Sequence, residues 1–422
     1  MILIDGTFHS QTEIDAKGET FLAATGIADP RLSVAVCLPE TIDWLAAFFA
    51  IKRLGASILP LLPGTPLATA RKLATEAGCH RLYHGGTTAE WLGEPDDESP
   101  RGRLLQMSSG TTGAAKCVAR GWDDIERELE DYVSFFREPQ DMTPVVACPT
   151  THSYGLICGL LVGLKRGRVP HVVNTANPKH LIKLLRETER PILYSSPAML
   201  HTLARLLPSG EQIHAIMTSG TLLPESWFST IRAKAERFYQ QYGCSEAGCV
   251  AINSDLTHPA DMGRILPRFS LADGGTAEAP VEIVLDGITR IETRDLGYVR
   301  ADGMLVFISR LDDTVNVSGL NVYPRDVEDQ AIAVDDVTDA VAFRVPDSFA
   351  GERVALVYSA NRIMPSSELR ERLIPALQPH QVPMHLVQVA EVPRQANGKI
   401  SRREIARRFL DGEFNDQKEC AS

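Results

Sequence analysis

The sequence predicts an α/β protein with a large N-terminal domain of layered sheets and helices and a small C-terminal α+β domain. Three observations favour this fold class. The chain has 422 residues, 44% of them hydrophobic, which is enough for a large core and for more than one domain. Residues 33–60 read strand, helix, strand, a pattern typical of a parallel sheet layer. Residues 340–389 alternate strand-like apolar runs with one helix.

Each element of the first layer has its own signal. Residues 33–38 form a continuous apolar run, which predicts a buried strand. Apolar side chains recur at helical spacing over residues 40–54, and Gly55 follows as a stop signal. Residues 57–60 return as a strand. The order strand, helix, strand therefore predicts two neighbouring parallel strands.

The remaining elements follow from the same apolar patterns. The other predicted strands are residues 104–107, 145–149, 192–196, 213–218, 340–345, 353–359 and 384–389. The other predicted helices are residues 123–137, 155–164, 197–207 and 366–377. The apolar run 155–164 is too short to span a bilayer and reads as a buried helix.

Composition excludes several function classes. Net charge is −11, with 54 acidic and 43 basic residues, which argues against a nucleic-acid partner. The eight cysteines form no C-x-x-C pair, so a zinc or disulfide framework is not indicated. The first residues lack the pattern of a signal peptide, and no run predicts a membrane span. We therefore expect a cytoplasmic protein with reduced thiols.

Residues 108–116 combine four hydroxyls, two glycines and a lysine. Backbone N–H groups that converge at such a loop bind anions, so a polyphosphate is the expected ligand. An ordinary surface turn is the alternative. A Walker A loop is excluded, because Ala115 and Cys117 stand where that loop needs Gly and Ser or Thr. The candidate phosphate-binding residues are Ser108, Ser109, Gly110, Thr111, Thr112, Gly113 and Lys116.

This loop resembles the phosphate loop of the adenylate-forming superfamily, which includes acyl- and aryl-CoA synthetases, nonribosomal peptide adenylation domains and luciferases. The usual proline before the lysine is Ala115 here. Six motifs of the superfamily follow one another in order between about Leu104 and Arg403. This order makes chance agreement remote, and the resemblance implies roles for individual residues.

The resemblance implies a nucleotide site. Tyr242 would face adenine, Gly243 would belong to the same nucleotide-binding motif, and Ser245 would donate to a phosphate. Glu246 would bind Mg²⁺, a cation that prefers oxygen ligands, although a solvated carboxylate is the alternative. A second stretch would line the adenine pocket, with a plain strand-to-helix turn as its alternative. This stretch is Ser219, Gly220 and Thr221.

Two further residues would bind the ribose side of the nucleotide. Asp295 can accept both ribose hydroxyls, and Arg310 matches the residue that contacts ribose and phosphate. Three departures from the superfamily pattern occur nearby. They are Arg294 and Ser309 in place of glycines and Asn316 in place of a lysine.

The resemblance also implies the catalytic parts. Lys399 matches the catalytic lysine, and Gly319 the loop that faces the thiol tunnel. Asp312 matches the hinge, which gives domains of residues 1–311 and 312–422. His152 is either a substrate-gating residue or a structural histidine. The absence of an Asp in residues 151–153 makes an amino-acid substrate less favoured.

We therefore expect an acid–thiol ligase that uses ATP and Mg²⁺. It would form an acyl adenylate from an aryl or modest acyl acid and transfer it to coenzyme A or to the phosphopantetheine of an acyl carrier protein. Two alternatives are transfer to an amine and a degenerate nucleotide-binding scaffold. A basic run close to the C-terminus would contact the acceptor, or else form a solvated helix face. It consists of Arg402, Arg403, Arg407 and Arg408.

Overall fold

The structure is a computed structural model that describes residues 1–96, 99, 101–108, 116–174, 177–220, 223–395 and 400–414. For Ser108 and Ser226 it describes the backbone only. The strands of the described residues are β1 Ile2–Ile4, β2 Thr7–His9, β3 Ser33–Cys37, β4 Ser57–Pro60, β5 Arg81–His84, β6 Ala89–Trp91, β7 Arg103–Ser108, β8 Lys116–Gly121, β9 Thr143–Ala147, β10 His171–Val172, β11 Pro191–Ser195, β12 Ile213–Thr218, β13 Ala235–Cys244, β14 Gly248–Asn253, β15 Asp261–Ile265, β16 Ser270–Leu271, β17 Val281–Asp286, β18 Ile291–Val299, β19 Leu305–Arg310, β20 Val315–Val317, β21 Leu320–Val322, β22 Val337–Asp347, β23 Gly351–Ala360 and β24 His385–Gln388.

The helices alternate with these strands in the first half of the chain. They are α1 Gln11–Thr25, α2 Thr41–Leu54, α3 Leu67–Glu76, α4 Trp122–Phe135, a π-helix Tyr154–Leu161, α5 Val162–Lys165, α6 Pro178–Glu187, α7 Pro197–Leu206, α8 Glu225–Arg232, α9 Pro324–Ile332, α10 Ser366–Leu373 and α11 Arg402–Leu410. The described part of the chain contains no helix with both the length and the apolar character that a bilayer crossing requires.

The chain forms two compact units. Unit 1 is Met1–Gly220, Lys234–Asp255 and Arg264–Phe269, and unit 2 is Thr221–Ala233, Leu256–Gly263 and Ser270–Ser422. The mixed α/β class predicted from the sequence is confirmed. The boundary at residue 312 stays a prediction.

Unit 1 contains two sheets. One has the strand order β6-β5-β3-β4-β7-β8, and β3 pairs in parallel with β4 as the strand–helix–strand pattern predicted. The other runs β14-β13-β12-β11-β9-β10-β1-β2, with β9, β11, β12 and β13 parallel. Helix α2 has a buried face of Trp44, Leu45, Phe48 and Ile51. These apolar side chains join the main hydrophobic core, which fixes the layer against the sheets.

Unit 2 is mostly antiparallel. The strands β16, β17, β18 and β19 pair in that order. A separate sheet runs β21-β20-β23-β22, and β24 pairs with β23 in parallel. Apolar clusters fill both faces of the β22–β23 ribbon, because side chains alternate between the faces of a strand.

Candidate active site

The predicted phosphate loop connects two antiparallel strands. Ser108, the last residue of β7, is the register partner of Lys116, the first residue of β8. Lys116 is exposed. The predicted residues Ser109, Gly110, Thr111, Thr112 and Gly113 lie outside the described residues. The structure therefore defines where both ends of the loop are anchored.

The turn that carries His152 lies against the strand that leads into this loop. The hydroxyl of Ser153 donates to Gln106 Oε1 on β7. The Tyr154 hydroxyl donates to the carbonyl oxygen of Met217 on β12, 2.6 Å away. Burial raises the pKa of Tyr154 well above its usual range, so the phenol stays neutral and keeps this bond. His152, the residue directly before these two anchors, is half-buried.

The predicted buried helix after this turn begins as a π-helix, a form that is frequent at functional sites. Its second residue, Gly155, is needed for packing. A Cβ there would lie 3.0 Å from Cys148 O and closer still to Pro149 O. Any side chain at position 155 would therefore clash with the backbone of residues 148 and 149 and displace the turn that contains His152.

The stretch after β12 lies beside the tyrosine motif. Ser219 Oγ donates to the carbonyl oxygen of Gln241 at 3.1 Å. Gln241 is the residue directly before Tyr242. Gly220 has a φ of +92°, a conformation that favours glycine. Thr221 lies outside the described residues. Unit 1 thus brings three predicted stretches close together: the His152 turn, Ser219 and Tyr242.

The tyrosine motif forms a β-hairpin. Tyr242 on β13 is 6% exposed, and Gly243 pairs with Cys249 of β14. The turn of the hairpin contains Ser245 and Glu246, and Glu246 is exposed. No cluster of three or more metal-ligating side chains occurs in the described part of the chain. A single exposed carboxylate still fits Mg²⁺, which is held by one or two carboxylates together with substrate phosphates and water.

Unit 2 carries the predicted ribose pair. Asp295 on β18 and Arg310 on β19 are register partners. Arg310 Nη1 lies 3.4 Å from Asp295 Oδ1, and Asp295 is 4% exposed. Its backbone N–H donates to Thr293 Oγ1. The pair is therefore held in a fixed geometry by the strand register and by the preceding threonine.

Arg294, where the superfamily has glycine, contacts the predicted hinge. Its φ is +61°, a left-handed conformation that explains why glycine is usual there. Its side chain donates to Asp312 Oδ1 at 3.1 Å, and this hydrogen bond raises the pKa of Arg294. Its carbonyl oxygen accepts from the N–H of Leu311. Residue 294 therefore holds the segment that precedes the hinge.

We expect Arg294→Gly to be more stable than Arg294→Ala by about 1 kcal/mol, since alanine keeps the left-handed strain that glycine relieves. Both variants lose the ion pair, so the comparison isolates the backbone. Thermal unfolding of the two purified variants measures it. At an ordinary strand position alanine is more stable than glycine. If Arg294→Ala were the more stable variant, the left-handed conformation assigned to residue 294 would be contradicted.

Gly319 lies in the turn between β20 and β21 with a φ of +87°. Asn316, which replaces the usual lysine, accepts from the Gly319 N–H at 2.9 Å. The side chain of Asn316 thus stabilises the turn, and the substitution has a local structural role.

Lys399 lies outside the described residues, but both flanks of its segment are anchored. Arg394 pairs with Asp339 at 2.5 Å. Arg402 donates to both carboxylate oxygens of Glu328 at 2.8 Å and to Asp313 at 3.1 Å. Burial raises the pKa of Glu328, whereas the positive charge and the hydrogen bonds of Arg402 act to lower it.

The predicted basic run is largely paired within the chain. Besides Arg402, Arg407 pairs with Asp411 and Arg408 with Glu413, each at 2.7 Å. These internal pairs reduce the positive charge that the run presents to a partner.

Sequence reasoning missed a group of charges in unit 1, which consists of the buried Arg120 and Glu128 and the half-buried Arg268. Glu128 pairs with Arg120 at 2.5 Å. The available signal was the position of Glu128 in α4, where it lies in the buried stripe with Ile125 and Leu129. A carboxylate in an apolar stripe indicates a buried partner.

A model of the AMP-binding enzyme family matches residues 93–272. A 3,4-dihydroxybenzoate–[aryl-carrier protein] ligase of Bacillus anthracis is 36% identical over 409 residues, which cover 96% of this chain and 98% of that protein. Two solved structures share the fold. One is o-succinylbenzoate CoA synthetase of Bacillus subtilis with its acyl-adenylate intermediate; the TM-score is 0.81, the identity is 18%, and the match covers 96% of this chain and 94% of that chain. The other is an amide bond synthetase of Marinactinospora thermotolerans; the TM-score is 0.77, the identity is 18%, and the match covers 97% of each chain.

The predicted family and enzyme class are confirmed by these relatives. At 18% identity the two solved structures show the fold alone, whereas the 36% identical relative matches nearly the whole chain. The chain belongs to the AMP-binding family of adenylate-forming enzymes and is an acid–thiol ligase.

Proposed function

We propose that the protein activates an aryl acid with ATP and transfers it to the phosphopantetheine thiol of an aryl-carrier protein, in the cytoplasm. The observation that carries this proposal is the near full-length similarity to a 3,4-dihydroxybenzoate–[aryl-carrier protein] ligase. Coenzyme A is the alternative acceptor, because more distant relatives are CoA ligases. Superfamily members that activate amino acids carry an Asp in this motif. Residues 151–153 contain none, which agrees with an aryl acid as the substrate.

The residues of unit 1 would bind the base and phosphates of ATP. Tyr242 and Gly243 would face adenine beside residues 219–221. The loop 108–116, with Lys116, and Ser245 would contact phosphate oxygens through N–H, hydroxyl and ammonium donors. Glu246 would hold Mg²⁺, which supplies positive charge to the phosphates when bound. His152 would lie at the entry of the acid, on the turn held by Gln106 and Met217.

The residues of unit 2 would bind the ribose and serve the two steps. Asp295 would accept the ribose hydroxyls, and Arg310 would contact ribose and phosphate. Lys399 would neutralise charge between the acid and the α-phosphate. Asp312 would be the hinge between the two steps, and the Gly319 turn would face the thiol in the second.

The reaction balances without a redox partner. In the first step a carboxylate oxygen of the acid attacks the α-phosphorus of ATP, and the bond to pyrophosphate breaks. In the second step a thiolate attacks the acyl carbon, and AMP leaves with the bonding electrons. The thiol proton passes to solvent or to AMP. Both attacking groups are anions, so charge neutralisation and alignment are what the protein supplies.

Transfer to an amine remains a second candidate, because the fold of an amide bond synthetase is the same and a fold by itself does not decide the acceptor. A degenerate nucleotide-binding scaffold is the third, and the presence of Lys399, Glu246 and Asp295 argues against it. A protein that only binds a nucleotide has no need of the lysine.

The test is pyrophosphate release with ATP and Mg²⁺ across a panel of acids. We expect hydroxylated benzoates, with 3,4-dihydroxybenzoate included, to be activated at least about tenfold faster than aliphatic acids, as a polar pocket discriminates strongly against acids that leave its groups unpaired. Fatty acids and malonate serve as the comparison acids. A preference for any of these would overturn the aryl assignment.

The acceptor is tested with the preferred acid. Holo aryl-carrier protein, coenzyme A and a primary amine are each supplied to the preformed adenylate, and the product is identified by mass spectrometry. We expect the carrier-protein thioester to form fastest. An amide as the main product would establish the second candidate instead.

A further inference from the structure

A group of three charged side chains, two of them buried and Arg268 half-buried, lies in unit 1 and is called the charge cluster here: Arg120, Glu128 and Arg268. Glu128 is fully buried and Arg120 is 6% exposed. Arg120 Nη2 donates to Glu128 Oε2 at 2.5 Å. Arg268 Nη2 lies 3.8 Å from Glu128 Oε1. Two positive charges thus lie around one buried carboxylate.

The charge cluster holds the backbone directly after Glu246. Glu128 Oε1 accepts from the Cys249 N–H at 2.7 Å. Arg268 Nη2 donates to the carbonyl oxygens of Ala247, at 3.1 Å, and of Cys249. The second half of the Glu246 hairpin turn is therefore bound to side chains as well as to its partner strand.

The same cluster includes a residue of β8, the strand that follows the phosphate loop in the chain. Arg120 belongs to β8, the strand that begins at Lys116. Glu128 belongs to α4, the helix that follows β8. The Arg120–Glu128 ion pair and the Glu128–Cys249 hydrogen bond therefore connect β8 with β14, the strand that follows the turn carrying the predicted Mg²⁺ ligand.

Packing alone does not account for these charges. The neighbours of Glu128 on the buried stripe of α4 are Ile125, Leu129 and Tyr132, so an apolar residue would suit position 128. Burying an ion pair is often no more stabilising than apolar replacement. What the carboxylate provides is a directed bond to a particular N–H. It also packs on Gly248, where a Cβ would meet Arg120 Nη1 at 2.5 Å and Glu128 Oε2 closer still.

We propose that Glu128 is a positioning residue for Glu246. By holding Cys249 N–H and Arg120 together, it sets the place of the Glu246 turn relative to β8, so that Glu246 and Lys116, the first residue of β8, meet the same Mg²⁺-bound triphosphate. This inference rests on the proposed role of Glu246. Loss of a hydrogen-bonding group that orients a metal ligand typically lowers metal affinity or activity by roughly 10–100-fold.

The test is the Mg²⁺ dependence of ATP binding and of pyrophosphate release in Glu128→Gln. We expect the Mg²⁺ concentration for half-maximal effect to rise at least about tenfold, while the KM of the acid stays near the wild-type value. Glu126→Gln is the matched control. Glu126 lies on the same helix, and its exposed carboxylate pairs with Lys52, so its Mg²⁺ dependence should be that of the wild type.

Because Glu128→Gln leaves Arg120 buried without a carboxylate, this variant can fail to fold. The double variant Arg120→Met/Glu128→Leu removes both charges and fills the stripe with apolar atoms. We expect it to be folded, with a similarly raised Mg²⁺ requirement. A folded double variant with the wild-type Mg²⁺ dependence would overturn the positioning role and leave the cluster as a structural feature.

Direct calorimetric titration of ATP at several Mg²⁺ concentrations separates this inference from the proposed function. Mg²⁺-dependent ATP binding by the wild type without activation of any acid would contradict the proposed function only. Equal Mg²⁺ dependence in wild type and variants contradicts the positioning role only. Wild-type ATP binding that does not depend on Mg²⁺ would overturn the assigned role of Glu246 and, with it, the positioning role of Glu128.

Discussion

Replacing Lys399 with alanine is expected to lower acyl-adenylate formation by about 10²–10³-fold, the usual loss when one fixed charge is removed from a transition state. The acid and the α-phosphate are both anions, and the lysine would offset their repulsion as they meet. ATP affinity should change little, because other residues would bind the base, ribose and terminal phosphates. Pyrophosphate release and ATP titration measure the two quantities separately.

Two controls make the Lys399 result specific. Lys179→Ala removes an exposed lysine at the start of α6 and should leave adenylation unchanged. Chemically prepared acyl adenylate, supplied to Lys399→Ala, should be converted to thioester at close to the wild-type rate, since the lysine would serve the first step. Wild-type pyrophosphate release in Lys399→Ala would refute its assigned role.

Replacing Gly243 with alanine is expected to reduce adenylation at least about 100-fold, because displacements of about 1 Å at a reacting centre have effects of this size. An added Cβ would lie 3.1 Å from Cys249 Cα, 3.0 Å from the carbonyl carbon of Gly248, and closer still to its oxygen. All of these are backbone atoms of β14, so they cannot rotate away. The two strands must separate at the hairpin that carries Ser245 and Glu246.

Gly86→Ala is the matched control, since no atom lies within 4 Å of an added Cβ at that position. Pyrophosphate release and thermal unfolding are measured for both variants. The expected pattern is a normal control and a Gly243→Ala variant with low activity at a melting temperature that still permits folding. Full activity in Gly243→Ala would show that the turn does not need the close strand pairing.

The two departures from the superfamily pattern that looked most disruptive have local explanations. Arg294 adopts the left-handed backbone of the usual glycine and uses its side chain to bind Asp312. Asn316 lacks the positive charge of the usual lysine, and its side chain stabilises the turn by accepting a hydrogen bond from the Gly319 N–H. Arg294 therefore has a backbone conformation that favours glycine, and Asn316 stabilises the turn that contains Gly319.

The elements with strong local patterns could be predicted from the sequence. The strand over residues 213–218 was predicted with the bounds Ile213–Thr218 that the structure shows, and the helix over residues 40–54 is Thr41–Leu54. Apolar periodicity and glycine stops depend on near neighbours in the chain, so they survive in any fold that buries the apolar face. The motif residues could be listed for the same reason, because each motif is short and continuous.

Contacts between distant residues were decided only by the tertiary structure. Glu128 and Cys249 are 121 positions apart, and Ser219 and Gln241 are 22 positions apart. Nothing in the local pattern around Glu128 names its partner, although its place in an apolar stripe shows that it needs one. Sequence therefore determined the family, the elements and the candidate residues, whereas packing decided which of those residues are held together, because hydrogen bonds and ion pairs depend on distances that only the folded chain sets.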